Sequence, residues 1–556
     1  LVLDRDVYTM PVGAASILQN FEPSVRGGYR RLSGTSRFSS SQVGGSSSTI
    51  LGVAVFNNGV VAAQSTNVYF GTGSSWTSID SGRTSAGRYR FEKYNFSTNE
   101  ERLIFADGAN FASVYNGTTV MDIKGATTIS TTGSASNSST SLSVSSAAGI
   151  MEGMYIGGTN IGSGAKVSSI SGTTVTMSVA TTGTISSGSV TFAGLGTAPS
   201  DPSMVTAFKN HMFYAGMSAE PNTIVFSAIG DENDFTASNG AGSLNVDSTI
   251  IALKSFRGEL IIFCEDRIYK LAGNALADFA IAPISRNVGC SDAFSIQEIG
   301  GDVIFLAPDG LRTIAGTARI GDVELGTVSK QIQARISDIG FTNISSVVIR
   351  DKSQYRLFYP SGGLESAEKG IIGVLKSNPS GQIGWEYSDI RGIKPSCCDS
   401  GFISGVEKVI HGGFDGYVYL QESGNTFNGT AMKAIYRSPD LTMGDAGIRK
   451  NMQRINVNYD PEGSVNASLF VKYDFEDAGT PQPSAYTLST ADTAAVYDNS
   501  GTLYDSAVYD AEGMPIVRQS VEGSGFTVVI RLEDESSNPP ITLKGFELEF
   551  TPGARM

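Results

Sequence analysis

Phe294-Ser-Ile-Gln-Glu-Ile-Gly-Gly-Asp-Val-Ile-Phe-Leu-Ala-Pro-Asp-Gly-Leu-Arg-Thr-Ile-Ala-Gly316 is a series of short apolar runs cut by Gly301-Asp302 and Asp309-Gly310. It continues Asp266-Arg-Ile-Tyr-Lys-Leu-Ala-Gly273 and the run from Ile281 to Cys290. Asp-Gly between β-branched and aromatic runs signals a hairpin, because a two-residue primed turn needs positive φ at low steric cost. The same unit recurs at Phe56-Asn-Asn-Gly-Val60, Phe105-Ala-Asp-Gly-Ala109 and Phe414-Asp-Gly-Tyr417. One hairpin unit scattered over hundreds of residues predicts a β architecture built blade by blade.

Working outward, residues 49–124 hold two blades. Leu51 to Phe56 pairs with Val60 to Gln64 and then Asn67 to Gly71, while Arg102 to Ala106 pairs with Asn110 to Tyr115, followed by Thr118 to Ile123. Between Gly125 and Ser200 the composition changes: 45 of 76 residues are Gly, Ser or Thr, and only Glu152 and Lys166 are charged. Period-2 alternation survives there, as in Thr174-Val-Thr-Met-Ser-Val179, which predicts an inserted β module rather than disorder. Blades resume over 201–425, giving six or seven in all, with Val323 to Ile339 as the one stretch with helical character. Residues 426–556, ending in the alternating strand Thr542-Leu-Lys-Gly-Phe-Glu-Leu-Glu-Phe550, predict an antiparallel β-sandwich-like domain. Residues 1–48 read as an arm followed by a Ser/Gly-rich linker from Ser39 to Ser48. The fold class expected is therefore all-β: a β-propeller of about six blades with a small inserted β module and a C-terminal antiparallel β domain.

Composition narrows the function. A net charge of −14 argues against binding nucleic acid by neutralising phosphates. The longest apolar runs, such as Leu260 to Cys264, are too short to span a bilayer, and Leu1-Val-Leu-Asp-Arg-Asp6 lacks a signal peptide's apolar core. Cys264, Cys290, Cys397 and Cys398 form neither a disulfide framework nor a metal spacing and read as buried or half-buried thiols. His211 and His411, each inside a strand pattern, are too far apart to make a ligand pair on spacing. No nucleophile elbow, phosphate loop, dinucleotide fingerprint or calcium loop is present, and the acidic cluster Asp231-Glu-Asn-Asp234 reads as a loop before it reads as a cation site. The expectation is a protein that is not an enzyme and carries no cofactor.

Several stretches resemble a known family. Pro11 to Gly34, Gly289-Cys290 through Phe305-Leu-Ala-Pro-Asp-Gly-Leu311, Arg437-Ser-Pro-Asp-Leu-Thr-Met-Gly-Asp445 with Lys450 to Arg454, and the repeat Val496-Tyr-Asp498, Leu503-Tyr-Asp505, Val508-Tyr-Asp510 resemble the tail nozzle proteins of short-tailed bacteriophages. These are also called tail tubular or packaged-DNA-stabilising proteins. In the insertion, Gly153-Met-Tyr155 and Ser169 to Thr176 resemble modules of phage tail and fibre proteins. The resemblance implies a propeller plus β domain, located in the virion tail. Six copies would form a ring below the portal and adaptor, closing the DNA exit channel. Partners would be the chain itself, the portal and adaptor, and tail fibres, with DNA passing without specific binding.

Two groups of residues become candidates. Arg26, Arg30 and Arg31, with Arg37 nearby, form the most basic patch of an acidic chain and read either as a solvated turn or as a docking arm on an acidic partner. With Arg449, Lys450 and Arg454 they are the candidate contacts to portal and adaptor. Between Asn456 and Glu512 ten acidic residues face one lysine, a local net of −9. Asp474, Glu476, Asp477, Asp498, Asp505 and Asp510 among them read either as a solvated surface or as an acidic channel wall that lets DNA slide. The competing reading is a secreted or surface carbohydrate-binding or adhesive propeller, with only Trp76 and Trp385 available for stacking sugars.

Overall fold

The computed structural model describes residues 1–5, 10–11, 13–24, 27–85, 87–96, 101–314, 327–340, 343–360, 369–377, 383–490 and 516–555. The chain divides into two compact units. The first comprises Leu1–Gln64, Phe70–Thr77 and Phe294–Met556, and the second Ser65–Tyr69 and Ser78–Ala293.

Among the described residues the propeller consists of seven antiparallel meanders. Four have four strands each from one run of chain: Ile50–Phe56 to Trp76–Asp80, Arg90–Tyr94 to Val120–Asp122, Met204–Phe208 to Gly242–Asn245, and Ile250–Phe256 to Ala280–Ser285. The fifth has three, from Gln297–Ile299 to Gly310–Thr313, and the sixth runs from Ser345–Ile349 to Ile383–Arg391. The seventh, Cys397–Ile403, Val406–Gly412 and Val418–Gln421, takes its fourth strand, Thr35–Arg37, from the N-terminal segment.

Two features explain why these residues form blades. Five first hairpins close on a pair of consecutive residues with positive φ: Asn57-Asn58, Lys209-Asn210, Arg257-Gly258, Gly300-Gly301 and Ser404-Gly405. That is the backbone of a type I′ turn, whose twist matches the strands it joins. The second strands are then buried on both faces, as in Gly59–Gln64, His211–Ala215 and Gln354–Tyr359, whereas outer strands such as Trp76–Asp80 and Gly242–Asn245 are largely open. Burial falling from inner to outer strand is what face-to-face stacking of blades produces. Within the first unit, the first and seventh meanders abut, and the Val55 amide donates to Asp399 Oδ2 at 2.8 Å. Within the second unit, Met204–Phe208 lies between Arg90–Tyr94 and Ile250–Phe256.

Local expectations are refined at the turns. Asn58-Gly59 is not itself the turn: Gly59 is the first residue of its strand. A Cβ there would lie 2.6 Å from the Phe70 ring and 2.7 Å from the Gly71 carbonyl oxygen, so the glycine serves close approach. The expected helical stretch becomes two short turns, Lys330–Ile332 and Gln333–Ile336, with Val323 to Gly326 outside the described residues.

The insertion is a small closed barrel in the second unit. Its sheet runs Tyr155–Gly158, Ile185–Ala193, Ile129–Ala135, Ser141–Val144, Thr174–Met177, Val167–Ser171. A bridge between Tyr155 and Lys166, with the Val167 amide donating to the Met154 carbonyl at 2.9 Å, brings the two end strands together. Leu142, Met154, Val175, Val190 and Phe192 fill it, and serines and threonines at alternate positions face solvent. Its neck is the ladder Gly125–Ala126 with Gly196–Thr197.

The C-terminal domain is a sandwich, but its limits differ from the expected 426–556. One sheet has nine strands, in which the whole sixth meander continues through Ile17–Gln19 into Met432–Arg437, Val528–Ser536, Val465–Tyr473 and Tyr486–Thr490. The other runs Phe21–Pro23, Tyr29–Arg31, Ile541–Arg555, Ile448–Pro461, Ile516–Ser520. Leu18, Phe21, Tyr436, Ile455, Val457, Leu469, Val471, Leu532 and Leu543 form the buried layer between them. Residues 17–37 are thus not a free arm: they supply strands to both sheets and to the seventh blade, while Ser39 to Ser48 carries no strand, only the turn Val43–Gly45. The reason is edge satisfaction, since strands at sheet edges expose backbone donors and acceptors that another strand covers.

Candidate interaction surfaces

The basic candidates fall in the sandwich, and most are occupied there. Arg31, on Tyr29–Arg31, is fully buried and crosses the layer to Asp534 of the other sheet, Nη1 to Oδ2 3.1 Å. The same guanidinium donates to the Ser536 carbonyl at 3.1 Å and to that of Asn538. Lys450 is also buried and donates through Nζ to the carbonyls of Asp445, at 2.6 Å, and Phe526, at 3.0 Å. Burial lowers its ammonium below the ordinary range. Arg449 donates to Ser524 Oγ at 2.9 Å. Arg31 and Lys450 are therefore corrected from docking groups to internal braces, because alternation along a strand turns every second residue inward. Arg30 pairs with Glu462, Nη2 to Oε2 2.7 Å, and Arg454 lies 3.6 Å from Glu549 with both side chains about half exposed. Arg26 lies outside the described residues.

The acidic candidates are likewise tied locally. Asp474, Phe475 and Glu476 turn with φ of 48°, 59° and 60°. Asp474 Oδ1 accepts from the amides of Phe526 at 2.6 Å and Thr527 at 3.3 Å. Glu476 accepts from Arg437 Nε at 3.0 Å, and Asp477 Oδ1 from the Gly479 amide at 3.0 Å. Asp498, Asp505 and Asp510, with the Tyr-Asp repeat, lie outside the described residues.

A buried charge network went unread in the sequence. Glu22 meets Arg356 (3.3 Å), Lys352 (2.6 Å) and Arg30 (3.5 Å), and Arg356 and Lys352 both pair with Glu422. Gln354 and Gln421 donate to and accept from the same groups. The network joins the N-terminal strand to the sixth and seventh meanders. Burial alone would raise the Glu422 carboxyl, but Arg356 and Lys352 outweigh it and hold it at about 2. The signal was present: a single arginine inside Gln354-Tyr-Arg-Leu-Phe-Tyr359 is a charge on an otherwise buried strand and requires carboxylate partners.

Asp231-Glu-Asn-Asp234 is a structural loop. Asp231 pairs with Lys166 at 3.1 Å, Glu232 with Arg102 at 2.7 Å, and the Asn233 side chain accepts from the Gly125 amide at 3.0 Å at the barrel's neck. Asp234 caps Thr236. Among the described residues no group of three or more His, Cys, Asp or Glu converges as a metal site, and no helix is long and apolar enough to cross a membrane. His211 is buried with Nδ1 2.5 Å from the Ser227 carbonyl oxygen. His411 stacks on Tyr419 at 5.1 Å, and burial holds its imidazole down to about 3.

A groove of about 630 Å³ opens on the sandwich. Tyr29, Tyr436, Phe546, Leu548 and Phe550 line it together with the loop Ser438 to Gly444. Asp440 sits in that loop, only 5% exposed, with Oδ1 lacking a hydrogen-bond partner and Oδ2 3.6 Å from Arg437. Burial raises its carboxyl above the ordinary range against the pull of Arg437.

No protein-family model matches this chain, and no curated protein sequence matches it. Among solved structures it is similar to the computationally designed Ika8 protein (13% identity, 68% of this chain and 98% of that chain, TM-score 0.33). It is also similar to Saccharomyces cerevisiae Sqt1 (11%, 69% and 98%, TM-score 0.32) and Kluyveromyces lactis Hsv2 (9%, 64% and 99%, TM-score 0.27). Likenesses this remote carry no argument, and the propeller assignment rests on the chain's own meanders, turns and burial.

Proposed function

We propose that this chain is a structural virion protein, a subunit of the ring-shaped tail nozzle of a short-tailed bacteriophage. It closes the DNA exit channel below portal and adaptor, retains the packaged genome and conducts it during ejection. One observation carries the reading. The resembling segments Pro11 to Gly34 and Arg437 to Asp445 with Lys450 to Arg454 lie far apart in the chain, yet they belong to one sandwich. Ile17 is registered with Arg437, and the Ser16 amide donates to the Arg437 carbonyl at 2.8 Å. Segments that resemble one family and build one body together support a shared architecture more strongly than scattered motifs do.

The chemistry fits a passive conduit and assigns no catalytic role. The cations of the sandwich are largely held by its own carboxylates and carbonyls, and the chain as a whole is strongly acidic. A basic wall would grip phosphates and stall the moving duplex, whereas an acidic one repels them. The ring is a homo-oligomer, six-fold by the resemblance, in contact with adaptor and portal. The decisive test is genetic: heads filled in the absence of this chain should lose their DNA to added nuclease. Stable, full, nuclease-resistant particles lacking it would overturn the proposal.

A further inference from the structure

The strand Ile541–Arg555 is 15 residues long, but its two neighbours cover it unequally. On one side Ile448–Pro461 pairs along its whole length. On the other, Tyr29–Arg31 pairs only at Leu543 and Thr542. Among the described residues, no strand covers the second edge from Gly545 onward. A Cβ at Gly545, on the face shared with Glu547 and Glu549, would meet nothing within 4 Å, so that face is open at this point. Pro552, which lacks an amide donor, limits the usable edge to Gly545–Thr551.

This edge borders the groove. Phe546, Leu548 and Phe550 alternate along it and line the groove, with Phe550 36% exposed. Their registered partners Val457, Ile455 and Met452 belong to the sandwich core, which fixes this as the inner face. On the opposite face stand Glu547, which accepts from Asn456 Nδ2 at 3.1 Å, and Glu549, which is half exposed. The groove lining also includes the buried Asp440 carboxylate with its unpartnered oxygen, a polar group that would normally be satisfied. An edge that no described strand pairs, an apolar row on one face and carboxylates on the other make a template for one kind of occupant.

We propose that Gly545–Thr551 and its groove receive an extended segment of another protein as an added β-strand. In that segment apolar side chains alternate with lysine or arginine. Main-chain hydrogen bonds to the edge supply affinity, and the alternation supplies register. Apolar side chains lie beside Phe546, Leu548 and Phe550, while basic ones on the other face meet Glu547 and Glu549. Charge complementarity selects a basic segment over an acidic one, as expected for so acidic a chain.

The test uses the full chain and a fluorescent peptide, acetyl-Lys-Val-Lys-Val-Lys-Val-Lys-amide, read by polarisation at near-physiological salt. Two further versions carry N-methyl groups on either the valine or the lysine amides. Since alternate amides of a strand point to opposite edges, one methylated version should lose at least tenfold in affinity and the other should bind as the parent does. Phe550→Ser and Glu549→Lys should each weaken binding severalfold while leaving the far-ultraviolet dichroism unchanged. Equal binding of both methylated peptides, or of a block peptide with valines and lysines segregated, would show mere attraction to an acidic surface and overturn the proposal. So would absence of binding. Self-association of the chain that Glu549→Lys abolishes would assign the edge to a second copy and would also overturn it.

Discussion

Replacing Arg31 by alanine separates the two roles that its sequence context suggested. As a docking group it would influence association and little else. In the structure it is wholly buried and bonded to Asp534, itself buried, from the opposite sheet. Arg31→Ala leaves that carboxylate in the sandwich layer without its cation, and removing one partner of a buried pair costs about 3–5 kcal/mol. The Ser536 and Asn538 carbonyls lose a donor as well. With a urea slope of about 3 kcal/mol per molar, the midpoint for the sandwich should fall by about 1–2 M. Urea unfolding of the full chain, followed through the fluorescence of Trp76 and Trp385, both in the same unit, reads this directly. Replacing both partners, Arg31→Leu with Asp534→Leu, should recover most of the loss, because an apolar pair needs no counter-charge. A single variant within 0.5 kcal/mol of the parent would refute the reasoning, as would a double variant no more stable than the single one.

Excising the barrel by joining Lys124 to Ala198 through a short Gly/Ser linker should leave the rest of the chain melting cooperatively, because its core is its own; loss of that cooperativity in calorimetry contradicts its autonomy. Glu422, held at about 2 against an unfolded value near 4.5, contributes stability that is present above pH 4.5 and lost as pH falls from there toward 2. The difference in urea midpoint between the parent and Glu422→Gln should therefore shrink over that window, and a constant difference would speak against the network. Arg454→Ala should change stability by less than about 1 kcal/mol, as exposed pairs do, and flatten the salt dependence of assembly. Lys450→Ala, which leaves two carbonyls without their buried donor, should instead cost about 1–3 kcal/mol, measurable in the same urea assay.

What the sequence made legible follows the range of each interaction. Hairpins are local, so the strands around Asn57, Asn210 and Gly301 and the limits of the insertion were readable from turn residues and alternation. Outer strands such as Trp76–Asp80 and Gly242–Asn245 were not, because they need no continuous apolar run, nor was Arg90–Tyr94, where Arg90, Glu92 and Lys93 break the apolar pattern of a first strand. The weaving of residues 17–37 into three sheets left no local trace, since its pairings reach across some 400 residues. Tyr29-Arg-Arg31 looked like a solvated patch. Only its strand conformation reveals that Arg30 and Arg31 point to opposite faces, one toward Glu462 and one into the sandwich. Asp440 gave no signal in sequence, because the loop that holds it is fixed by backbone bonds from Ser438 to Ile530 and from Leu441 to Val528, far along the chain.

The measurement closest to the central claim is the mass and shape of the purified full chain, alone and mixed with a portal–adaptor complex. Native mass spectrometry and negative-stain images should show a closed ring of this chain seated on the adaptor with a central channel, in whole-number stoichiometry to the portal's symmetry. A chain that stays monomeric in both conditions, or that binds the adaptor without forming a ring, would contradict the account.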